Sequence, residues 1–472
     1  MPQLKTLNDW LAYIESIHEQ PMVLGLERMH EMIRRLGIRF DCPVITVAGT
    51  NGKGSTCAFL ESICRAAGMK TALHTSPHLL RFNERALIDG READDATLVA
   101  AMEAVERVRG ELKLTYFEFT GLAVLTCFMR AEPDVVILEI GLGGRLDAMN
   151  AIDADAAVIA TIGLDHTAIL GDTREAIGYE KACVYRSGAP AVCADPDAPE
   201  SVRAYAKAIG ADYLECGRDF VVRHIEGAED GAFDFECRGE RLTHLPAPGL
   251  RGENQYRNAA GALAVLLRLR EKLLSRCDWP AREKWVAIDR QAVETGLRAA
   301  RIRARFETVA DNPEIILDVG HNPQAAVVLA ENLHAGARLG MRTLAVFGML
   351  RDKDRQSVVA LVKDEIDEWF VSGLPGPRGA DLANLTGAMH AAGVAPECIR
   401  AFPSIEAALD AAVLAAKSNE VDGNFLTPNS PSKPLQNVEA QASGADRIIV
   451  FGSFVTVTEA LEALEKRAAR GF

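Results

Sequence analysis

The sequence predicts a two-domain α/β protein, each domain a mainly parallel sheet covered by helices, and three observations predict it. Apolar runs that are continuous rather than alternating, as in buried parallel strands, recur between segments of helical period: Pro43 to Val47, Val135 to Ile140 ("VVILEI") and Ala156 to Ile162 ("AAVIATI"). The 472 residues exceed what one hydrophobic core usually supports. From about Glu314 a fresh strand–helix series begins, with "EIILDVG", "RTLAVFGML", "EWFVSGL" and "DRIIVFGSF". The first domain is expected over residues 1–299 and a smaller, Rossmann-like domain over 300–472.

In chain order, "MPQLKTLNDWLAYIESIHEQ" is an amphipathic start without the apolar region of a secretory signal. Pro43 to Val47 is the first buried strand, and "VAGTNGKGST" (Val47 to Thr56) follows it with three glycines around Lys53. Glycine costs backbone entropy, so the bare main chain needs a reason. A strand ending in a glycine-rich turn that opens a helix wraps main-chain N–H groups around phosphate, with a lysine for the outer phosphates. The helix Lys53 to Ala67 closes at Gly68. The spacing departs from the general P-loop pattern, which wants Gly six residues before the lysine and Ser or Thr directly after it, because Val47 and Gly54 stand there. A tight turn with a solvated lysine fits the same letters. Phe220 to Cys237 alternates apolar and polar residues around "EGAEDGA", which predicts an antiparallel hairpin attached to the parallel core. Between Lys417 and Gly444 the composition shifts to Asn, Ser, Pro and Gln, which predicts a mobile surface insertion.

The net charge of −14 argues against a nucleic-acid partner, because phosphate backbones are held by basic patches. No apolar run approaches the ~20 residues of a membrane span. The ten cysteines form no CxxC pair, and several (Cys57, Cys64, Cys127, Cys183) sit in apolar, helix-like stretches. They read as reduced core residues, and the expected location is the cytoplasm.

A phosphate loop that serves catalysis needs magnesium ligands, since the metal neutralises charge that moves in phosphoryl transfer. Ser76, in "HTSPHLLRFNER", follows the strand-like "TALHT" and could offer a hydroxyl, although a serine before proline is also an ordinary turn residue. Glu139 ends the strand in "VVILEIGLGGRLDAMN", where a carboxylate faces the ligand crevice of a parallel sheet or simply reaches water at its edge. His166 follows the next strand in "IGLDHTAILG"; alone it would read as a hydrogen-bonded structural histidine. "GLGGR" is not a dinucleotide fingerprint, because Leu146 stands where GxGxxG needs glycine. A nicotinamide dehydrogenase is therefore disfavoured.

Six motifs in order, "VAGTNGKGST", "TSPHLLRFNER", "LEIGLGGRLDAMN", "LDHTAILG", "EKACVYRSGAP" and "DVGHNPQAA", closely resemble the folylpolyglutamate synthase family in its bacterial bifunctional form with dihydrofolate synthase activity. The family groups with the muramyl ligases, whose glycine loop has the same short GTNGK form. The resemblance implies a P-loop-type ATPase domain and an ATP-dependent ligase that joins L-glutamate to dihydropteroate, or to the γ-carboxylate of reduced folates, through an acyl phosphate. It implies that Asn51, Gly52, Lys53, Gly54 and Ser55 hold ATP. It implies two magnesium ions at Ser76, Glu139, His166 and Lys181, the last as a carbamate, where an unmodified lysine would read as a solvated helix residue.

The same resemblance sets Tyr116, Phe117, Glu118 and Phe119 of "LTYFEFTG" at the dihydropteroate, with rings stacking on the pterin; without it, three aromatics there would read as core. Arg145, Leu146 and Asp147, with Ile17 and His18, fall at its other pteroate contacts. Asn258, Arg305, Asp318 and His321 match ATP contacts, the last three from the second domain, so the resemblance implies a site completed by domain closure. Two departures stand out: "RIRARFE" replaces the usual Pro-Gly-Arg, which leaves Arg303 as the alternative to Arg305, and Gly320 replaces the usual Ala. A muramyl-type ligase acting on a nucleotide-sugar peptide would need an extra N-terminal domain, and only about 40 residues precede the loop. An inactive ATP-binding regulator would need the loop but not the metal set. The expected state is a monomer that binds small molecules.

Overall fold

The computed structural model describes residues 4–18, 23–225, 227, 230–275, 282–421 and 446–470. They form two compact units, Met1–Ile302 and Arg303–Phe472. Among the described residues, no helix is long and apolar enough to cross a membrane.

The first unit is built on eight strands: β1 (Val44–Ala48), β2 (Thr71–His74), β3 (Leu87–Ile88), β4 (Arg91–Glu92), β5 (Val135–Glu139), β6 (Ala156–Ile159), β7 (Pro190–Cys193) and β8 (Asp212–Glu215). Their order is β4-β3-β2-β5-β1-β6-β7-β8, parallel from β2 to β8, with β3 and β4 antiparallel at one edge. Every residue of β1, β2, β5, β6 and β7 is buried, which is why these strands read as continuous apolar runs. Pleating sends alternate side chains to opposite faces. Val44, Ala48, Val136 and Leu138 enter the core formed with Trp10, Met29 and Phe119, whereas Ile45, Val47, Val135 and Ile137 enter the other, with Phe59 and Leu263. The helix after the glycine turn runs Lys53–Ala66, with Gly68 at φ +78° just beyond its end.

The expected hairpin has a third strand. β9 (Phe220–His224), β10 (Phe233–Cys237) and β11 (Glu240–Leu245) form an antiparallel sheet in which Arg238 and Gly239, both at positive φ, make a two-residue turn into β11. In the second unit, β12 (Glu307–Asp311), β13 (Glu314–Asp318), β14 (Thr343–Phe347), β15 (Glu368–Ser372), β16 (Ile399–Phe402) and β17 (Arg447–Phe451) form a sheet in the order β12-β13-β17-β14-β15-β16. All of its pairs are parallel except β12–β13. The four apolar runs read from the sequence are its four inner strands; the edge strands β12 and β16 are partly exposed and carried no such run. The helix Ile405–Val421 continues into the first residues of the expected insertion, and the rest of that insertion lies outside the described residues.

Candidate active site

The carboxyl ends of β2, β5, β1 and β6 lie side by side, and each opens into a loop that carries a residue singled out above. After β1 the chain turns at Gly52, which caps the following helix at φ +82°. A Cβ at Gly52 would stand 2.5 Å from Asn258 Oδ1, so the turn needs glycine for its backbone angle and for the close approach of Asn258. Asn258 is buried, and its Nδ2 donates to Gln255 Oε1 at 2.9 Å. Gly54 and Ser55 are buried in the first turn of the helix, and Asn51 accepts from Thr161 Oγ1 through its carbonyl at 3.0 Å. Lys53 Nζ folds back onto the carbonyls of Gly49 and Thr50, at 3.1 and 3.3 Å.

Thr50 ties this loop to the one after β6: its N–H donates to Thr161 O at 2.6 Å, and its hydroxyl bonds both Gly163 N and Gly163 O. On the other side, Ile162 N donates to Asp195 Oδ2 at 2.7 Å, and Arg174 Nε donates to Ile162 O at 3.0 Å. The clamped segment ends at His166, which stands at φ +51°, an uncommon conformation for a non-glycine residue. Glu139 is buried at the end of β5 and accepts from Ser76 N at 3.0 Å. Lys181 is 3% exposed, and its Nζ donates to Gly49 O at 2.9 Å, the same carbonyl that Lys53 reaches. Burial first, and the Lys53 charge second, push its ammonium down to about 7.

A cavity of about 270 Å³ opens beside these loops and is lined by Ser76, Phe117, Glu118, Leu146, Asp147 and His166 among others. Asp147 accepts from the main-chain N–H of Leu142 and of Met149, both at 2.9 Å. Burial pushes its carboxyl up to about 6, against the pull of those N–H groups. Phe119 does not serve as a stacking ring here: it is fully buried in the core, 6.5 Å from Trp10, because successive helical positions turn Phe117 and Phe119 apart. Tyr116 is half-buried over the Arg85 guanidinium. Glu118 lines the cavity with both oxygens already engaged, by Arg28 and by the N–H and hydroxyl of Thr115. Arg28 also donates to Val23 O, so Glu118 braces the cavity wall. Arg145 is turned away onto Glu180 at 2.9 Å. Ile17 and His18, at the end of the first helix, are not among the residues that line the cavity.

In the second unit Arg305 lies 5.4 Å above the Phe454 ring, and the His321 ring is 6.3 Å from it. Asp318 ends β13; its carboxylate accepts from Phe306 N and Gly320 N, and burial pushes it up while the Arg305 charge pulls it down. Arg303 instead pairs with Glu307 at 2.9 Å, so Arg305 is the arginine that joins Asp318 and His321.

Two family profiles match the chain: the Mur ligase middle domain over residues 47–266, and the Mur ligase, glutamate ligase domain over 304–423. The dihydrofolate synthase/folylpolyglutamate synthase of Escherichia coli K12 is 37% identical over 98% of this chain and 97% of its own. The chain belongs to the dihydrofolate synthase/folylpolyglutamate synthase family. Its structure is similar to that of Escherichia coli FolC in complex with DHPP and ADP, with a TM-score of 0.83 and 36% identity over 99% of this chain and 100% of that one. It is also similar to the Yersinia pestis bifunctional folylpolyglutamate synthase/dihydrofolate synthase complexed with AMPPNP and Mn ion, with a TM-score of 0.81 and 38% identity over 98% and 100%.

For a family member, the donor set fits magnesium. Among the described residues, no three His, Cys, Asp or Glu side chains gather into a ready-made metal cluster. Magnesium does not require one, since it is commonly held by one or two carboxylates, water and substrate phosphates. Glu139, the Ser76 hydroxyl and His166, beside a phosphate loop, are such a partial set. The sequence reading missed Arg85, Phe454, and the Asp195–Arg174 clamp. Arg85 lies within a quoted motif, but nothing in its spacing separates it from Arg81; Phe454 ends the quoted run "DRIIVFGSF", which was read only as a strand, and Asp195 belongs to no motif that was read.

Proposed function

We propose that this chain is an ATP- and Mg²⁺-dependent amide ligase that adds L-glutamate to dihydropteroate, and to the γ-carboxylate of reduced folates, through an acyl phosphate. The observation that carries this reading is the adjacency of a glycine-shaped phosphate loop and a largely apolar cavity at one sheet edge, joined by the Ser76–Glu139 contact. A carboxylate is a poor electrophile until one of its oxygens becomes a good leaving group. In the reaction, an acceptor carboxylate oxygen attacks the γ-phosphorus of ATP and ADP leaves. The glutamate amine then attacks the acyl carbon, and phosphate departs with that oxygen.

Lys53 and the N–H groups of Gly52 to Ser55 hold the phosphates, aided by the positive end of the helix. Ser76, Glu139 and His166 hold magnesium, which lowers the repulsion between the two anions that must meet. Lys181 reaches a carbonyl and forms no ion pair among the described residues. We assign it as the carbamate site: the free amine adds carbon dioxide and releases a proton, leaving an anion that supports a second metal. Phe117, Leu146 and Asp147 receive the pteroate, Asn258 steadies the phosphate loop, and Arg305, Asp318 and His321 of the second unit take up further parts of the nucleotide. We assign residues 1–299 as the ligase domain and 300–472 as the second domain, in a cytoplasmic monomer.

The test is ATP hydrolysis by the purified protein. The expected release of phosphate requires both dihydropteroate and L-glutamate; hydrolysis that neither compound stimulates would refute the reading.

A further inference from the structure

Among the described residues that wall the 270 Å³ cavity, Arg85 is the one lysine or arginine, and it is only 9% exposed. Its surroundings hold it from three sides. Nε donates to His78 Nδ1 at 2.8 Å, so that this ring nitrogen accepts and carries no proton. The rings of Phe82 and Tyr116 lie 5.7 and 5.9 Å from its Cζ. Among the described residues it forms no ion pair, and burial pulls its ionisation down from the ordinary arginine value. The two acids whose charge reaches it hold main-chain partners: Glu84 accepts the N–H groups of Leu79, Leu80 and Arg81, and Glu139 accepts that of Ser76.

A buried guanidinium without a carboxylate is costly, and its two terminal nitrogens form a fork that matches a carboxylate. The two terminal nitrogens make no hydrogen bond to a described residue, and Arg85 lines the cavity that also contains Ser76 and His166. We propose that Arg85 binds the carboxylate of the acceptor through its terminal nitrogens and so selects a free acid at the end of the molecule that reacts. The inference rests on the functional reading above and adds the residue that recognises the reacting group. Arg85 fixes the acid, and when the oxygen attacks, the same cation stays beside the charge that is transferred.

The test uses the full chain in the presence of a metal chelator, so that no divalent cation contributes. Dihydropteroate and its primary carboxamide, which lacks the charge, are titrated by fluorescence against wild type and Arg85→Met, with ADP as a control ligand. Wild type should prefer the acid by roughly 10- to 100-fold, the range of charge-assisted hydrogen bonds. Arg85→Met should bind acid and amide alike, near the wild-type affinity for the amide, with ADP affinity retained. A preserved acid preference in Arg85→Met would overturn the proposal. Equal affinity of wild type for acid and amide would overturn it without any variant, which covers a variant that fails to fold. If wild type binds ADP but neither pteroate, the functional reading itself fails.

Discussion

The turn that presents Lys53 in the first unit and the turn that presents Arg305 in the second both need left-handed backbone, and they obtain it differently. The first uses glycine, with Gly52 at φ +82° and no room for a Cβ beside Asn258. The second uses Ala304 at φ +57° and Phe306 at φ +50°, two side chains in a region that disfavours them, on either side of Arg305. Glu307 accepts from Ala304 N and Asp318 accepts from Phe306 N, so the surroundings hold the turn. Strain of this kind persists where neighbouring structure over-determines it, and it clusters at functional sites. The lesson is that one conformational need can be visible in the letters at one site and hidden at another.

The largest effect should come from the charge that the first turn presents. Lys53→Ala should abolish turnover while the thermal midpoint stays within a few degrees, because in the free protein Lys53 bonds only carbonyls of its own loop. Near-normal turnover at saturating ATP would break the assignment. Gly52→Ala should come next, with ATP affinity lost and the fold destabilised by about 1–2 kcal/mol or more in urea titration. An unchanged stability would mean that the turn does not need its angle.

A smaller effect concerns Asp147. Burial raises its carboxyl, so the native state keeps the proton up to about pH 6 whereas the unfolded chain releases it near 3.8. Ionisation therefore opposes folding, and its contribution to stability falls as pH rises between those values, by roughly 2–3 kcal/mol. Urea midpoints of wild type minus Asp147→Asn at pH 4 and pH 7 should show that loss; a difference independent of pH would sink the account of Asp147. The smallest effect should be at the second turn, where Ala304→Gly relieves a left-handed alanine at the cost of unfolded-state entropy. The net should be between zero and about 1 kcal/mol of stabilisation, opposite in sign to Gly52→Ala. Destabilisation by Ala304→Gly would erase the contrast between the two turns.

The parallel core was legible because both of its faces are covered, so β1, β5 and β6 appear as uninterrupted apolar runs. Edge strands carry no such run, which is why β11, β12 and β16 escaped. The phosphate loop was legible because backbone demands select glycine directly. Side-chain direction is less so: Phe117 and Phe119 are equivalent as letters, yet one lines the cavity and the other packs against Trp10. Glu118 looked like a substrate contact because its partner, Arg28, lies 90 residues away in sequence. Arg85 was hidden because its meaning lies in lacking an ion pair, which only packing reveals.

The central claim is that the acceptor carboxylate passes through an acyl phosphate at this sheet edge. The most direct measurement is the fate of ¹⁸O placed in the carboxylate of dihydropteroate, followed by mass spectrometry of the phosphate released with ATP and L-glutamate. The account predicts that each phosphate formed carries one oxygen from the carboxylate. Phosphate without label, alongside formation of the amide, would contradict it.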